Sequence, residues 1–409
     1  MAKIADEYFK LDPWKIIEEG FDPAYNEVAE SVFSLGNEYM GVRGYFEEGT
    51  TAPSLQGSYF NGIYERDHAE TGLNYKGIVS KTHFMVNAVD SFYTKLELDG
   101  EMLDMNQIQM ENFKRELNLK TGELSRTLTW ITHSGKRLKI TFERFLHMEN
   151  YTEAFQKITF EPENFSGAIK VTVGQNFGTT HGSNDAKYWN TTEKGFTEKG
   201  AYIVSDTTSS NQRVFSGFEL EVSREIVCER LETEKFVGYT FDFPLEKAQQ
   251  DSLTKYITNL AEKNISLAEA EFVQKGHSNL SKQHECGYEA AKASQQAFWE
   301  NVWAKFDIKI DGDLKNQQGI RYCIFQLQQT YHGQDPTNNI GAKGLTGEAY
   351  NGHAFWDTET CCLPYYLFTN LKAAKNLLEF RYSTLAEAKN SSAAIRLRRS
   401  LLSNCNAKW

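Results

Sequence analysis

Proline is scarce: seven among 409 residues leave little room for Pro-rich linkers, so domain boundaries have to be sought in changes of hydrophobic period. No run approaches the roughly 20 apolar residues of a membrane-spanning helix, and the start, MAKIADEYFKLDPWKIIEEG, lacks the apolar core of a secretory signal. The expected location is the cytoplasm. Basic residues are outnumbered, 44 Lys+Arg against 55 Asp+Glu, and the resulting net charge of −11 repels phosphate backbones and anionic lipid. Nucleic acid and membrane surfaces are not expected partners. The six cysteines, Cys228, Cys286, Cys323, Cys361, Cys362 and Cys405, show no CxxC spacing and read as reduced, mostly buried thiols.

What is present is a large apolar reserve, 40% hydrophobic and 13% aromatic, enough for sizeable cores in two or three domains. From about residue 28 to 245 the dominant period is two. Phe113, Arg115, Leu117 and Leu119 turn at Thr121-Gly122-Glu123 into Leu124, Arg126, Leu128 and Trp130, then at Ser134-Gly135 into Leu138, Ile140 and Phe142. This alternation predicts a large antiparallel β-sandwich over residues 1–245. After Pro244 the spacing of Leu253, Tyr256, Ile257 and Leu260, and later of Trp299, Trp303 and Phe306, predicts a helical linker over 246–312, closed by a short strand at 306–310. Ile320, Ile324, Leu327 and Tyr331 open a second, helical domain at 313. The stretch His332 to His353 holds five glycines, too many for regular structure and too long for a simple connector, which points to a functional loop. From Lys389 to Trp409 five residues are basic and none is acidic, so 389–409 reads as a divergent, unpacked tail.

Gly36, Gly41 and Gly44 do not have the spacing of a phosphate loop, nor do Gly341, Gly344 and Gly347 that of a dinucleotide fingerprint; tight turns and close backbone approach are the expected uses. His353 and Asp357 would share a helix face but lack a third metal ligand, and Cys361-Cys362 has no evident base, so neither a metal nor a thiol nucleophile is expected. Asp357 and Glu359, two apart on a helix, point about 200° away from each other and cannot form an acid/base pair. Trp356-Asp357 carries more chemistry, because sugar recognition pairs an aromatic face with a carboxylate that accepts from hydroxyls.

Three segments, Phe33 to Gly44, Tyr59 to Tyr64 and Asp335 to Glu359, resemble the signatures of the family 65 glycoside phosphorylases, most of all those acting on maltose, and the likeness runs over roughly residues 5–388. The resemblance implies a multidomain fold: an N-terminal β-sandwich, a helical linker and an (α/α)6 barrel, here with only the barrel's first helices (313–388). It implies inverting phosphorolysis, in which inorganic phosphate attacks the anomeric carbon of an α-linked glucose disaccharide, releasing β-glucose 1-phosphate and glucose. Phosphate takes the place of water, so one carboxylic acid suffices where an inverting hydrolase needs two. Phosphate is then a co-substrate, and no other cofactor is expected. Trp356 and Asp357 match the residues that hold the non-reducing glucose. The family's general acid, a Glu in an Asn-Glu-Tyr context, has no counterpart among Glu359, Glu379 and Glu387, so no catalytic residue is assigned and the chain alone is expected to be silent. Leu363, Tyr365, Tyr366, Leu367 and Phe368 are then expected to lack partners. Maltose, kojibiose, nigerose and trehalose all stay open as substrates, a homodimer is expected, and a non-catalytic carbohydrate-binding fragment is the rival reading.

Overall fold

The alternation around Leu124, Arg126, Leu128 and Trp130 forms the strand Glu123–Ile131, which buries these four residues on one face. A computed structural model of the protein describes residues 8–68, 81–182 and 186–394. Its large antiparallel sheet has ten strands in the order Lys10–Leu11, Lys15–Glu19, Gln109–Asn118, Glu123–Ile131, Arg137–Leu146, Glu153–Pro162, Asp251–Glu262, Arg213–Val222, Gly200–Thr207 and Trp189–Phe196. A second sheet of five strands runs Glu229–Thr233, Phe236–Leu245, Gly167–Asn176, Thr94–Leu98 and Glu101–Met102. The inner faces share one core, to which Leu128, Ile140 and Phe160 come from the first sheet and Ile169, Val171 and Phe243 from the second. Polar links cross it: Lys255 Nζ donates to Ser91 O at 2.8 Å and to Gly174 O at 2.7 Å, and Ser216 Oγ to Gln175 Oε1 at 3.0 Å. Burial pulls the Lys255 ammonium down to about 7.

Arginines occupy inward positions beside the aliphatic ones. Arg115 Nε lies 2.6 Å from Glu18 Oε2, Arg126 reaches Glu48 Oε1 at 2.5 Å and Glu47 Oε2 at 3.0 Å, and Arg144 Nη1 stands 3.2 Å from Glu47 Oε1. Phe33, Phe46 and Phe142 cover the guanidinium faces of the first two. A buried arginine is tolerable only with such partners.

The segment 251–262, expected to be helical, is instead a strand, paired with Glu153–Pro162 on one side and Arg213–Val222 on the other. Flanked on both edges and buried on both faces, it carries apolar residues without strict alternation, and Leu253, Tyr256, Ile257 and Leu260 then mimic a helical spacing. The helices begin later. After the short α1 (Asn26–Val32) come α2 (Glu269–Cys286), α3 (Tyr288–Phe306), α4 (Leu314–Thr330), α5 (Leu363–Thr369), α6 (Leu371–Ser383) and α7 (Leu385–Ala394). Residues 307–310 are irregular rather than a strand; Asp307 there pairs with Arg321 of α4 at 2.8 Å. Trp303 of α3 ties the helices to the sandwich by donating from Nε1 to Leu119 O at 2.8 Å, and Trp299 stacks on Phe325 of α4.

The tail expected from 389 continues α7 as far as Ala394; residues 395–409, with Cys405, lie outside the described residues. The five described cysteines are free, but Cys228, Cys286, Cys323 and Cys361 are exposed and Cys362 half-buried, so the expectation of mostly buried thiols fails for them. On α4, Cys323 falls on the solvent side of an amphipathic helix, where the apolar stripe has no use for it. Of the apolar residues expected to lack partners, Tyr366 is buried, while Phe368 is 91% exposed and Leu367 is exposed too. No helix among the described residues is long and apolar enough to cross a membrane.

Glu153, at the start of its strand, has one weak hydrogen bond, from Asn150 Nδ2 at 3.4 Å, and burial pushes its carboxyl up to about 7. Ionising it therefore opposes folding, not at all below the unfolded pKa and fully above the folded one. Glu153→Gln is expected to equal the wild type in urea midpoint at about pH 4 and to exceed it above about pH 7. An equal difference at both pH values would contradict this.

Candidate functional site

The glycine-rich connection between α4 and α5 is gripped from the sandwich side by the two N-terminal motifs. Glu38 stands at the tip of the first, with φ +68°. Its N–H donates to Gln329 O at 2.7 Å, and its buried carboxylate accepts from the backbone N–H groups of His332 (2.8 Å), Gln334 (3.0 Å) and Asp335 (3.0 Å). Gly36 and Gly41 allow the approach: an added Cβ would come within 3.1 Å of Gln329 O at the first and 2.7 Å of Leu345 Cβ at the second. Arg43 Nη1 donates to Thr346 O at 2.8 Å.

The second motif holds the other half of the loop. Tyr59 OH donates to Glu348 Oε1 at 2.8 Å, Tyr64 OH to Gly352 O at 2.8 Å, and Asn61 Nδ2 to Glu38 O at 3.1 Å. Glu348 Oε2 also accepts from Gly182 N at 3.1 Å, and His181 Nδ1 is 3.3 Å from Oε1. Burial opposes its ionisation, but the contacts of His181 and Tyr59 outweigh that and hold the carboxyl below its usual range.

Beyond this grip the chain emerges at Phe355, whose carbonyl accepts from Arg381 Nη2 at 2.6 Å, and continues through a single π turn, Thr358–Cys362, into α5. Thr358 Oγ1 donates back to Ile340 O at 3.0 Å. Between these anchors Trp356 and Asp357 are displayed outward: Trp356 is 67% exposed and Asp357 is exposed as well. The described residues give the Asp357 carboxylate no hydrogen bond or ion pair and the Trp356 ring no aromatic contact. Glu359 points elsewhere, clamped by Arg381 Nε at 2.7 Å and Nη2 at 3.1 Å. An exposed indole beside an unengaged carboxylate on a pinned backbone can stack on a sugar ring and accept from its hydroxyls.

His353 and Asp357, expected on one helix face, are not: His353 is extended (φ −71°, ψ 146°) and its Nε2 lies 2.6 Å from His83 O. No group of three or more His, Cys, Asp and Glu is placed to hold a metal among the described residues. Burial pushes the Cys362 thiol up to about 11, which keeps it protonated at neutral pH. Sequence reasoning missed Glu38, Tyr59, Glu348 and Arg381 as parts of the site. A positive φ at a glutamate carries no signal in the residue type, and their contacts join chain positions far apart.

Comparison with known proteins agrees with this architecture. The profile of the glycosyl hydrolase family 65 N-terminal domain matches residues 16–302, and that of the family 65 central catalytic domain matches residues 321–401, past the point where the tail was expected to begin. The chain is 32% identical to the maltose phosphorylase of Bacillus subtilis (strain 168), with 99% of this chain and 55% of that protein covered. It is 31% identical to the α,α-trehalose phosphorylase of Thermoanaerobacter brockii, with 93% and 51% covered. A solved structure from the human microbiome, named as a candidate kojibiose phosphorylase, superposes with a TM-score of 0.90 at 38% identity, over 95% of this chain and 51% of the other. The chain thus spans about half the length of the relatives it matches. It belongs to glycosyl hydrolase family 65.

Proposed function

We propose that this chain supplies the sandwich and the beginning of an (α/α)6 catalytic barrel to an enzyme that phosphorolyses an α-linked glucose disaccharide with inversion, maltose being the substrate of choice. The observation that carries this reading is the outward display of Trp356 and Asp357 from a backbone pinned by Glu38, Arg381 and Thr358. In this reading the indole face takes the apolar side of the non-reducing glucose and the carboxylate accepts from its hydroxyls, which fixes the anomeric carbon for attack by inorganic phosphate. A lone acid must then protonate the leaving oxygen. Glu359 cannot serve, because Arg381 holds both its oxygens. The 409-residue polypeptide by itself is accordingly proposed to bind sugar without turning it over. Cytoplasmic location and a homodimer belong to the same proposal, and trehalose, kojibiose and nigerose are the competing substrates.

Trp356 provides a local reporter, because Trp130, Trp189, Trp299 and Trp303 are buried and the emission of every other tryptophan is common to the wild type and Trp356→Phe. Maltose is expected to shift the emission of the wild type to shorter wavelength and to leave Trp356→Phe unchanged. No shift with any of the four disaccharides would contradict the reading. Phosphate-dependent release of glucose 1-phosphate by this polypeptide at an ordinary rate, roughly 1–10³ per second, would contradict its silence. A non-catalytic binding fragment gives the same emission shift, but a longer protein containing it would then fail to release glucose 1-phosphate.

A further inference from the structure

A groove of about 560 Å³ lies between α2, the end of the strand Asp251–Glu262 and the loop 149–152, and no residue of the Trp356 segment lines it. Phe272, Lys275, Asn279, Lys282 and Cys286 form its helical wall. Their spacing of three or four places them on one face of α2, and at 1.5 Å per residue they extend over about 21 Å. The space is therefore elongated. On the opposite wall the Tyr151 ring, 43% exposed, leans on the Tyr39 ring with centroids 5.0 Å apart.

The polar groups of the groove are mixed in kind and nearly balanced in charge. Glu149, Glu153 and Glu262 face Lys275 and Lys282, and burial of Glu153 leaves it only partly ionised at neutral pH. Glu149 already accepts from Ser294 Oγ at 2.9 Å. The buried Oε2 of Glu262 has no hydrogen-bond partner, although Oε1 of the same group caps the backbone at Ser266. A small ion of either sign would meet its like charge here. A ligand suits these walls if each of its polar groups both donates and accepts and if it also offers an apolar face to tyrosine, which describes a sugar.

We propose that this groove is a second saccharide site, separate from Trp356 and shaped for a neutral linear oligosaccharide. Its volume is that of small-molecule pockets in general. It also touches the grip on the glycine-rich loop, because Asn37 Nδ2 donates to Tyr151 O at 3.0 Å and Tyr39 follows Glu38 directly. Choosing an α-glucosidic chain as the probe rests on the proposed function; the saccharide character of the groove does not.

The test is calorimetric titration of maltotetraose and of cellotetraose into the 409-residue protein carrying Trp356→Ala, which removes the other site. Maltotetraose is expected to bind, with affinity at least about tenfold weaker, or about 1.4 kcal/mol, after Tyr151→Ala and after Asn279→Ala. Tyr151 is exposed and Asn279 half-buried, and unchanged melting of these variants shows that the fold is kept. Binding of neither sugar, or binding that ignores both substitutions, overturns the proposal. Cellotetraose preferred through Tyr151 upholds the groove while counting against the α-glucosidic reading. Tyr151-dependent binding together with an unresponsive Trp356 emission upholds the groove and counts against the proposed function alone.

Discussion

Truncation of Glu38 to alanine is expected to cost about 3–5 kcal/mol and to release the glycine-rich loop from the sandwich. The carboxylate accepts from three backbone N–H groups, those of His332, Gln334 and Asp335, and orphaning a buried donor costs about 1–3 kcal/mol each, less whatever water regains as the loop loosens. Glu38→Gly separates two effects, since it loses the same acceptor but relieves the positive φ of +68°. It should be less damaging than Glu38→Ala by about 1 kcal/mol or more. Hydrogen exchange of the amides at 332, 334 and 335 is the direct readout: protection should fall in both variants. Retained protection would mean that the carboxylate is not what holds the loop.

The buried arginines make the second strong prediction. Arg126→Met strands Glu48, whose oxygen lies 2.5 Å from its guanidinium, and leaves Glu47 with Arg144 alone at 3.2 Å; breaking such a pair from one side typically costs about 3–5 kcal/mol. Replacing Arg126→Met together with Glu48→Gln, while Glu47 keeps its pair with Arg144 at 3.2 Å, leaves no unpaired buried carboxylate and should recover a good part of the loss. Urea unfolding of the single and double variants decides the matter. A single variant within about 1 kcal/mol of the wild type would show the cluster to be water-accessible or redundant.

Much of the sandwich was legible because its strands keep one wet face, so that the period survives in Leu124, Leu128 and Trp130. It failed at 251–262, where burial on both faces removed the polar half of the signal. The inward arginines could be seen as breaks in an apolar face, but their partners Glu47 and Glu48 stand in a loop whose course no period predicts. In the candidate site, Trp356 and Asp357 stand out in the sequence as an aromatic beside a carboxylate, and Glu359 is set apart from Asp357 on α-helical spacing, where the structure has a π turn and Arg381 engages Glu359. Arg381, which fixes Glu359 from 22 residues further on, left no trace in the local sequence. The glycines of the first motif were rightly taken as sites of close approach, whereas what approaches them, Gln329 and Leu345, emerged only from the fold.

The account rests on Trp356 and Asp357 forming one face of a hexose site. Calorimetric titration of maltose into the protein carrying Tyr151→Ala, so that the groove along α2 cannot contribute, tests this most directly. A single binding event is predicted, abolished when Trp356→Ala is added and weakened at least about tenfold when Asp357→Asn is added. Binding that survives both additions, or no binding of maltose, kojibiose, nigerose or trehalose at all, would contradict it.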